Sequence, residues 1–239
     1  MTPECFDRLV AEGYDYIPVS LEMMADFDTP LSVYCKVAAE PYSYLLESAQ
    51  GGKTWGRYSF IGLGARRVLK VYGNTIHLYS DRKLSEQLAV ANPMDYIESL
   101  QRQYRVPSLP DSPRFTGGWV GYFGYDAVRY TEPLLQATTP KDTLGNPDIL
   151  LMESKEVIVF DNFSNKLTLV RMTASAKEAY SDSMDILNAL KDRLQTGAIQ
   201  AFRQSGFAQT SETVFEYDRD EFMQGVEKIV DYTLAGDVM

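Results

Sequence analysis

The sequence is short of the residues that build metal centres and disulfide frameworks. Two cysteines, Cys5 and Cys35, and one histidine, His77, are spread over 239 residues. No paired Cys/His spacing exists, so no metal site is expected in this chain. Two cysteines cannot staple a scaffold, and they suit a reducing compartment. Basic residues are scarce as well. Lys and Arg number 23 against 33 Asp and Glu, a formal net charge of -10. A nucleic-acid binder needs a basic face, so no nucleic-acid partner is expected. Long apolar runs are missing: nothing approaches the ~18 residues of a membrane span. No basic-then-apolar leader opens the residues. A cytoplasmic protein with no membrane partner is the expectation.

What is present is an ordinary apolar content of 45%, enough for one large domain or two small ones. Thr2-Pro3 followed by Phe6, Leu9 and Val10 predicts a capped helix ending near Gly13. Residues 16–24, "YIPVSLEMM", read as a strand, and Pro18 places it at a sheet edge. Residues 67–80 read as a hairpin turning at Gly73-Asn74. Asn92-Pro93 caps a helix with Tyr96, Ile97 and Leu100 on one face. A second hairpin spans 156–172, with the turn "DNFSN" between "EVIVF" and "KLTLVRM". Helices follow from about Ser175 to Leu194 and from about Phe222 to Gly236. Residues 198–214 are polar and weakly patterned, and read as a linker or mobile loop. The mixture predicts an α+β fold, with antiparallel sheets packed with helices in two layers.

Two glycine-rich stretches raise functional questions. Residues 45–62, "LLESAQGGKTWGRYSFIG", end a phosphate-loop pattern at Gly52-Lys53-Thr54. The pattern needs its first glycine at position 47, where Glu47 stands. The residues after Thr54, from Trp55 to Phe60, read as a strand, so no helix N-terminus would face a phosphate. Gly62-Leu63-Gly64 fails the dinucleotide fingerprint in a similar way, with Arg67 where glycine is required. Two readings of 45–62 remain open on chemistry alone. One is a plain hairpin of Leu45-Leu46 against Phe60-Ile61. The other is a pocket for an amino acid. Glu47 and Ser48 leave one strand and Arg57, Tyr58 and Ser59 enter the next: a carboxylate would attract the ammonium, hydroxyls and backbone N–H groups would orient the carboxylate, and Leu46 and Phe60 would wall the side chain. The second stretch is 115–132, "FTGGWVGYFGYDAVRYTE". It reads as tight strand-to-helix packing rather than a ligand groove. Asp126, Arg129 and Glu132 are spaced as salt-bridge neighbours on a helical turn. His77, alternating with Ile76 and Leu78, reads as solvent-facing.

Four segments in order and spacing, "TPLSVYCKV", "YLLESAQGGKTWGRYSFIG", "GGWVGYFGYDAVRYTE" and "NPDILLMESKEVIVFDNF", resemble the amino-terminal part of anthranilate synthase component I. The first two favour that family over aminodeoxychorismate synthase component I, which shares the third. The resemblance implies a large subunit that turns chorismate and ammonia into anthranilate and pyruvate. It implies a glutamine amidotransferase partner (component II), Mg²⁺ in the full-length enzyme, and feedback inhibition by L-tryptophan. Carried over by position, Ser48 is the foremost effector-pocket residue, with Leu46, Glu47, Tyr58 and Ser59 beside it. Family members are about twice as long, and the resemblance puts the chorismate and magnesium sites in their other half. It implies that no catalytic or metal residue lies in this chain. It divides the chain into a regulatory domain over 1–197, the linker over 198–214, and the start of a catalytic domain over 215–239. A stand-alone small-molecule sensor is the alternative of a different class.

Overall fold

The computed structural model describes residues 1–47, 56–110, 112–136, 142–176, 178–199, 214–215 and 217–238. The chain opens with α1 (Pro3–Ala11), whose N-terminus is capped by Thr2: its Oγ1 accepts from the Cys5 N–H at 3.3 Å. Strand β1 (Tyr16–Met24) follows, with Ile17 and Val19 fully buried. Helix α2 (Pro30–Val37) starts in a capping box, where Thr29 and Ser32 each accept the other's backbone N–H at 3.1 and 2.9 Å. This reciprocal pair satisfies two donors that the first turn leaves open.

Five strands come next: β2 (Tyr44–Leu46), β3 (Tyr58–Gly62), β4 (Arg67–Tyr72), β5 (Thr75–Ser80) and β6 (Lys83–Ala89). The predicted turn between β4 and β5 forms at Gly73-Asn74, where Tyr72 pairs with Thr75 and Gly73 takes φ +52. A positive φ at the first central residue is what a two-residue hairpin needs, and glycine adopts it freely. Then come α3 (Pro93–Arg102), β7 (Gly118–Phe123), a 3-10 turn (Tyr125–Tyr130), α4 (Pro133–Gln136), β8 (Ile149–Ser154), β9 (Glu156–Asp161), β10 (Lys166–Ala174), α5 (Ala179–Thr196) and α6 (Arg219–Ala235).

The strands form two five-stranded sheets, β1-β10-β9-β3-β2 and β6-β5-β4-β8-β7. Every neighbouring pair is antiparallel. Strand β1 is an edge, as Pro18 requires. One face of the first sheet carries Ile17, Val19, Ile61, Ile158, Phe160, Leu167 and Leu169. It packs against Phe6 and Leu9 of α1, Val33 and Val37 of α2, and Leu187, Leu190 and Leu194 of α5. The second sheet buries Leu69, Val71, Ile76, Ile149 and Leu151 with Ile97 and Leu100 of α3 and Ala127 of the 3-10 turn. Each fully buried Leu, Ile or Phe contributes ~1.5–3 kcal/mol. The fold is therefore α+β, with each antiparallel sheet covered by its own helices.

The sheets are joined directly. Strand β8 ends at Ser154 in one sheet and β9 begins at Glu156 in the other, with Lys155 alone between them. Tyr44 of β2 and Ser154 of β8 share a hydrogen bond between their hydroxyls at 2.7 Å. Close approach also explains Gly121 of β7 and Gly124 just after it. A Cβ on Gly121 would overlap the Leu150 carbonyl, and one on Gly124 would lie 2.9 Å from the Asp148 carbonyl oxygen. The second glycine stretch predicts a close approach, but the neighbour is the backbone of the adjacent strand β8 and the residue before it rather than a helix.

Some expectations shift in detail. The strand read from Trp55 to Phe60 starts at Tyr58, because its partner β9 ends opposite at Asp161 and turns away; Trp55 lies outside the described residues. The helix read from Ser175 starts at Ala179. His77 is half-buried, its ring 5.2 Å from that of Tyr72. Most of the 198–214 stretch lies outside the described residues. The chain separates into two compact units, Met1–Gln200 and Ala201–Met239. The second contains α6, capped by Asp218, whose Oδ1 accepts from the Glu221 N–H at 2.8 Å, and ended by Gly236 at φ +82. Among the described residues, no helix is long and apolar enough to cross a membrane.

Candidate functional site

The hairpin of β2 and β3 is short. Tyr44 pairs with Gly62, Leu45 with Ile61 and Leu46 with Phe60. Side chains alternate along a strand, so Leu46, Tyr58 and Phe60 share one face, and Leu45, Ser59 and Ile61 share the other. Leu46 is 50% exposed and the Tyr58 and Phe60 rings lie 6.4 Å apart. Glu47 follows β2 as an exposed side chain. Ser59 is sent the other way, onto the helix-covered face, and is only 2% exposed. The structure thus brings Leu46 and Tyr58 to one side and separates Ser59 from them. Ser48 lies outside the described residues, as do Gly51, Gly52, Lys53 and Thr54.

Three residues that the motif reading missed complete the site from the β9–β10 turn. Asn162 ties the start of β3 to that turn. Its side-chain amide donates to the Gly56 carbonyl at 3.2 Å and to Ser59 Oγ at 3.3 Å. Its backbone N–H donates to the Arg57 carbonyl at 2.8 Å. Asp161 accepts from Arg57, through Nε and Nη2 at 3.2 and 2.9 Å to the same Oδ2. Its Oδ1 accepts from the Phe163 and Ser164 backbone N–H groups at 3.0 and 3.3 Å. The Arg57 guanidinium and these N–H donors hold the Asp161 carboxyl down at about 2. The guanidinium carbon lies 4.8 Å from the Tyr58 ring centroid and 6.0 Å from that of Phe163. Such cation–ring contacts add to the fixing of the side chain.

A cleft of about 300 Å³ opens here, lined by Gly56, Arg57, Asn162 and Phe163. Arg57 remains half-exposed and Phe163 is 86% exposed. The arrangement offers a planar cation, an open ring and, on the neighbouring strand, an exposed leucine followed by a carboxylate. Those groups suit a small zwitterion with an apolar side chain. One signal in the sequence pointed to the turn: "DNFSN" puts phenylalanine at a hairpin tip, where a large ring has no folding role. Among the described residues, no group of three or more His, Cys, Asp or Glu side chains could hold a metal ion.

This fold and these motifs define a class. The chain belongs to the chorismate binding enzyme family, whose model matches residues 42–239. More particularly, it is similar to proteins named anthranilate synthase component 1. It is 46% identical to that of Pseudomonas aeruginosa, over 100% of this chain and 49% of the relative. It is 44% identical to that of Pseudomonas putida, again over 100% of this chain and 49% of the relative. With Neisseria meningitidis serogroup B the identity is 42%, over 98% of this chain and 48% of the relative. The chain therefore spans about half the length of these curated relatives. Among solved structures, anthranilate synthase component I from Streptococcus pneumoniae matches with a TM-score of 0.54 at 19% identity. That match covers 90% of this chain and 46% of the other, and it supports the fold.

Proposed function

We propose that the chain is the amino-terminal portion of an anthranilate synthase large subunit, a cytoplasmic lyase of tryptophan biosynthesis. The whole protein would convert chorismate and ammonia to anthranilate, pyruvate and water. A glutamine amidotransferase subunit would supply the ammonia, and Mg²⁺ would act in the part of the enzyme beyond this chain. The observation that carries the reading is the 46% identity to a protein of that name, running across the full 239 residues.

Within that reading, the hairpin of β2 and β3 forms part of an L-tryptophan effector pocket. Glu47 and Ser48 would face the ammonium and carboxylate ends of the effector, with Leu46 and Tyr58 along its side. The exposed Arg57 beside Phe163 adds a cation and a ring to the same end of the hairpin. Ser59, buried and bonded to Asn162, supports the pocket wall from behind rather than touching the ligand.

The test is the chain by itself, supplied with chorismate, Mg²⁺ and ammonium. We expect no fluorescent anthranilate. Steady product formation by the purified chain would place the catalytic groups within these residues and overturn the division of labour.

A further inference from the structure

A second cleft, of about 330 Å³, opens where the two sheets meet. It lies at the Lys155 end of β9, whereas the effector-side cleft lies at the Asp161 end. Its lining includes three rings, Tyr16, Tyr104 and Trp119, together with the Met172 thioether, Glu153 and Lys155. Tyr16 and Tyr104 stand edge to face with centroids 5.1 Å apart. Gly117 makes the close approach that shapes one wall, since a Cβ there would come within 2.7 Å of the Ser154 carbonyl oxygen. The volume sits at the lower end of the ~300–1,000 Å³ typical of ligand pockets, which suits a single ring system.

The charge around Glu153, in the wall of this cleft, is unbalanced. Glu153 is nearly buried, with 11% of its side chain exposed. Its Oε1 lies 3.3 Å from Arg67 Nη1 and its Oε2 lies 3.9 Å from Lys155 Nζ. Within this trio one carboxylate faces two cations, an excess of one positive charge over Glu153, and of the two cations Lys155 lines the cleft. The excess is held against aromatic surface: Arg67 lies 5.8 Å from the Trp119 ring and Lys155 Nζ lies 5.8 Å from the Tyr16 ring. At 3.9 Å the Lys155 ammonium is beyond hydrogen-bond reach of Glu153. It is 40% exposed and open to another acceptor.

We propose that this cleft is a second small-molecule site, separate from the effector pocket, which takes a planar aromatic monocarboxylate. The ring of the ligand lies among Tyr16, Tyr104 and Trp119, and its carboxylate accepts from Lys155 Nζ. Rings favour offset or edge-on contact with other rings, and a charge-assisted hydrogen bond fixes the orientation. A cationic aromatic is rejected by the same excess charge that retains the anion.

Trp119 reports its own site. The chain has two tryptophans, so Trp55→Phe leaves Trp119 as the sole tryptophan emitter, excited at wavelengths that tyrosine does not absorb. Benzoate, benzamide and benzylamine are titrated against its fluorescence. Benzoate is expected to produce a saturable change, with benzamide weaker and benzylamine silent. Lys155→Gln is expected to weaken benzoate by about tenfold, Lys155→Arg to retain it, and Arg57→Gln to leave it unchanged. Equal responses to the three probes, no response to benzoate, or indifference to Lys155→Gln would each overturn the proposal. Loss of benzoate binding in Arg57→Gln would also overturn it, by placing the ligand at the other cleft.

Discussion

Asp161 is the residue on which the candidate site turns. It accepts from Arg57 and from two backbone N–H groups of its own turn. Its carboxyl is held at about 2 in the fold, against ~3.9 in an unfolded chain. A depressed acid stabilises the fold above its unfolded value, and that contribution is lost as pH falls towards the folded one. Asp161→Asn should therefore be less stable than the parent in urea at pH 7, with the gap narrowing by pH 3. A gap independent of pH would show that the charge of Asp161 is not what matters. Ser48 belongs at this scale too. In the full-length enzyme we propose, Ser48→Phe should relieve tryptophan inhibition while uninhibited turnover persists. Overpacking costs ~1–3 kcal/mol, equivalent to about a 5- to 150-fold rise in the inhibitory concentration. An unchanged inhibition curve would remove Ser48 from the pocket.

The elements differ in how openly the sequence announces them. Both hairpins, α3 and α6 follow from alternation, helical spacing and caps. Strand β6, "KLSEQLA", does not, because it lies at a sheet edge with Leu84 half-exposed, so no buried face imposes a pattern. Helix α2 hides behind its brevity, although Thr29-Pro30 marks its start. The site was legible on one side only. Leu46, Glu47 and Tyr58 stand in a recognisable stretch, but Asp161, Asn162 and Phe163 lie about a hundred residues on. Only the pairing of β3 with β9 brings them there. The same strand pairing leads to a prediction about cooperativity. The Tyr44–Ser154 hydrogen bond and the β8–β9 passage bind the two sheets into one structure. Helix loss by far-UV circular dichroism and Trp119 exposure by fluorescence in Trp55→Phe should share one denaturation midpoint. Separate midpoints would mean that the two cores unfold independently.

For the whole molecule, composition worked by exclusion. Few cysteines, one histidine and an acidic balance set expectations against disulfide scaffolds, zinc sites and nucleic-acid binding, but none of them names a reaction. The family emerged from four ordered segments, two of which meet at the candidate site on the first sheet: "YLLESAQGGKTWGRYSFIG" supplies β2 and β3, and "NPDILLMESKEVIVFDNF" supplies β8 and β9. The Lys155 passage has a mechanical consequence for the Met1–Gln200 unit. One residue offers only two soft dihedrals, and ladders hold the strands on both sides of it. It acts as a weld and not as a hinge. Six residues of β9 at ~3.3 Å each put roughly 20 Å of stiff strand between the Arg57–Asp161 turn and Lys155. A load applied at one end is carried to the other without a compliant neck to absorb it.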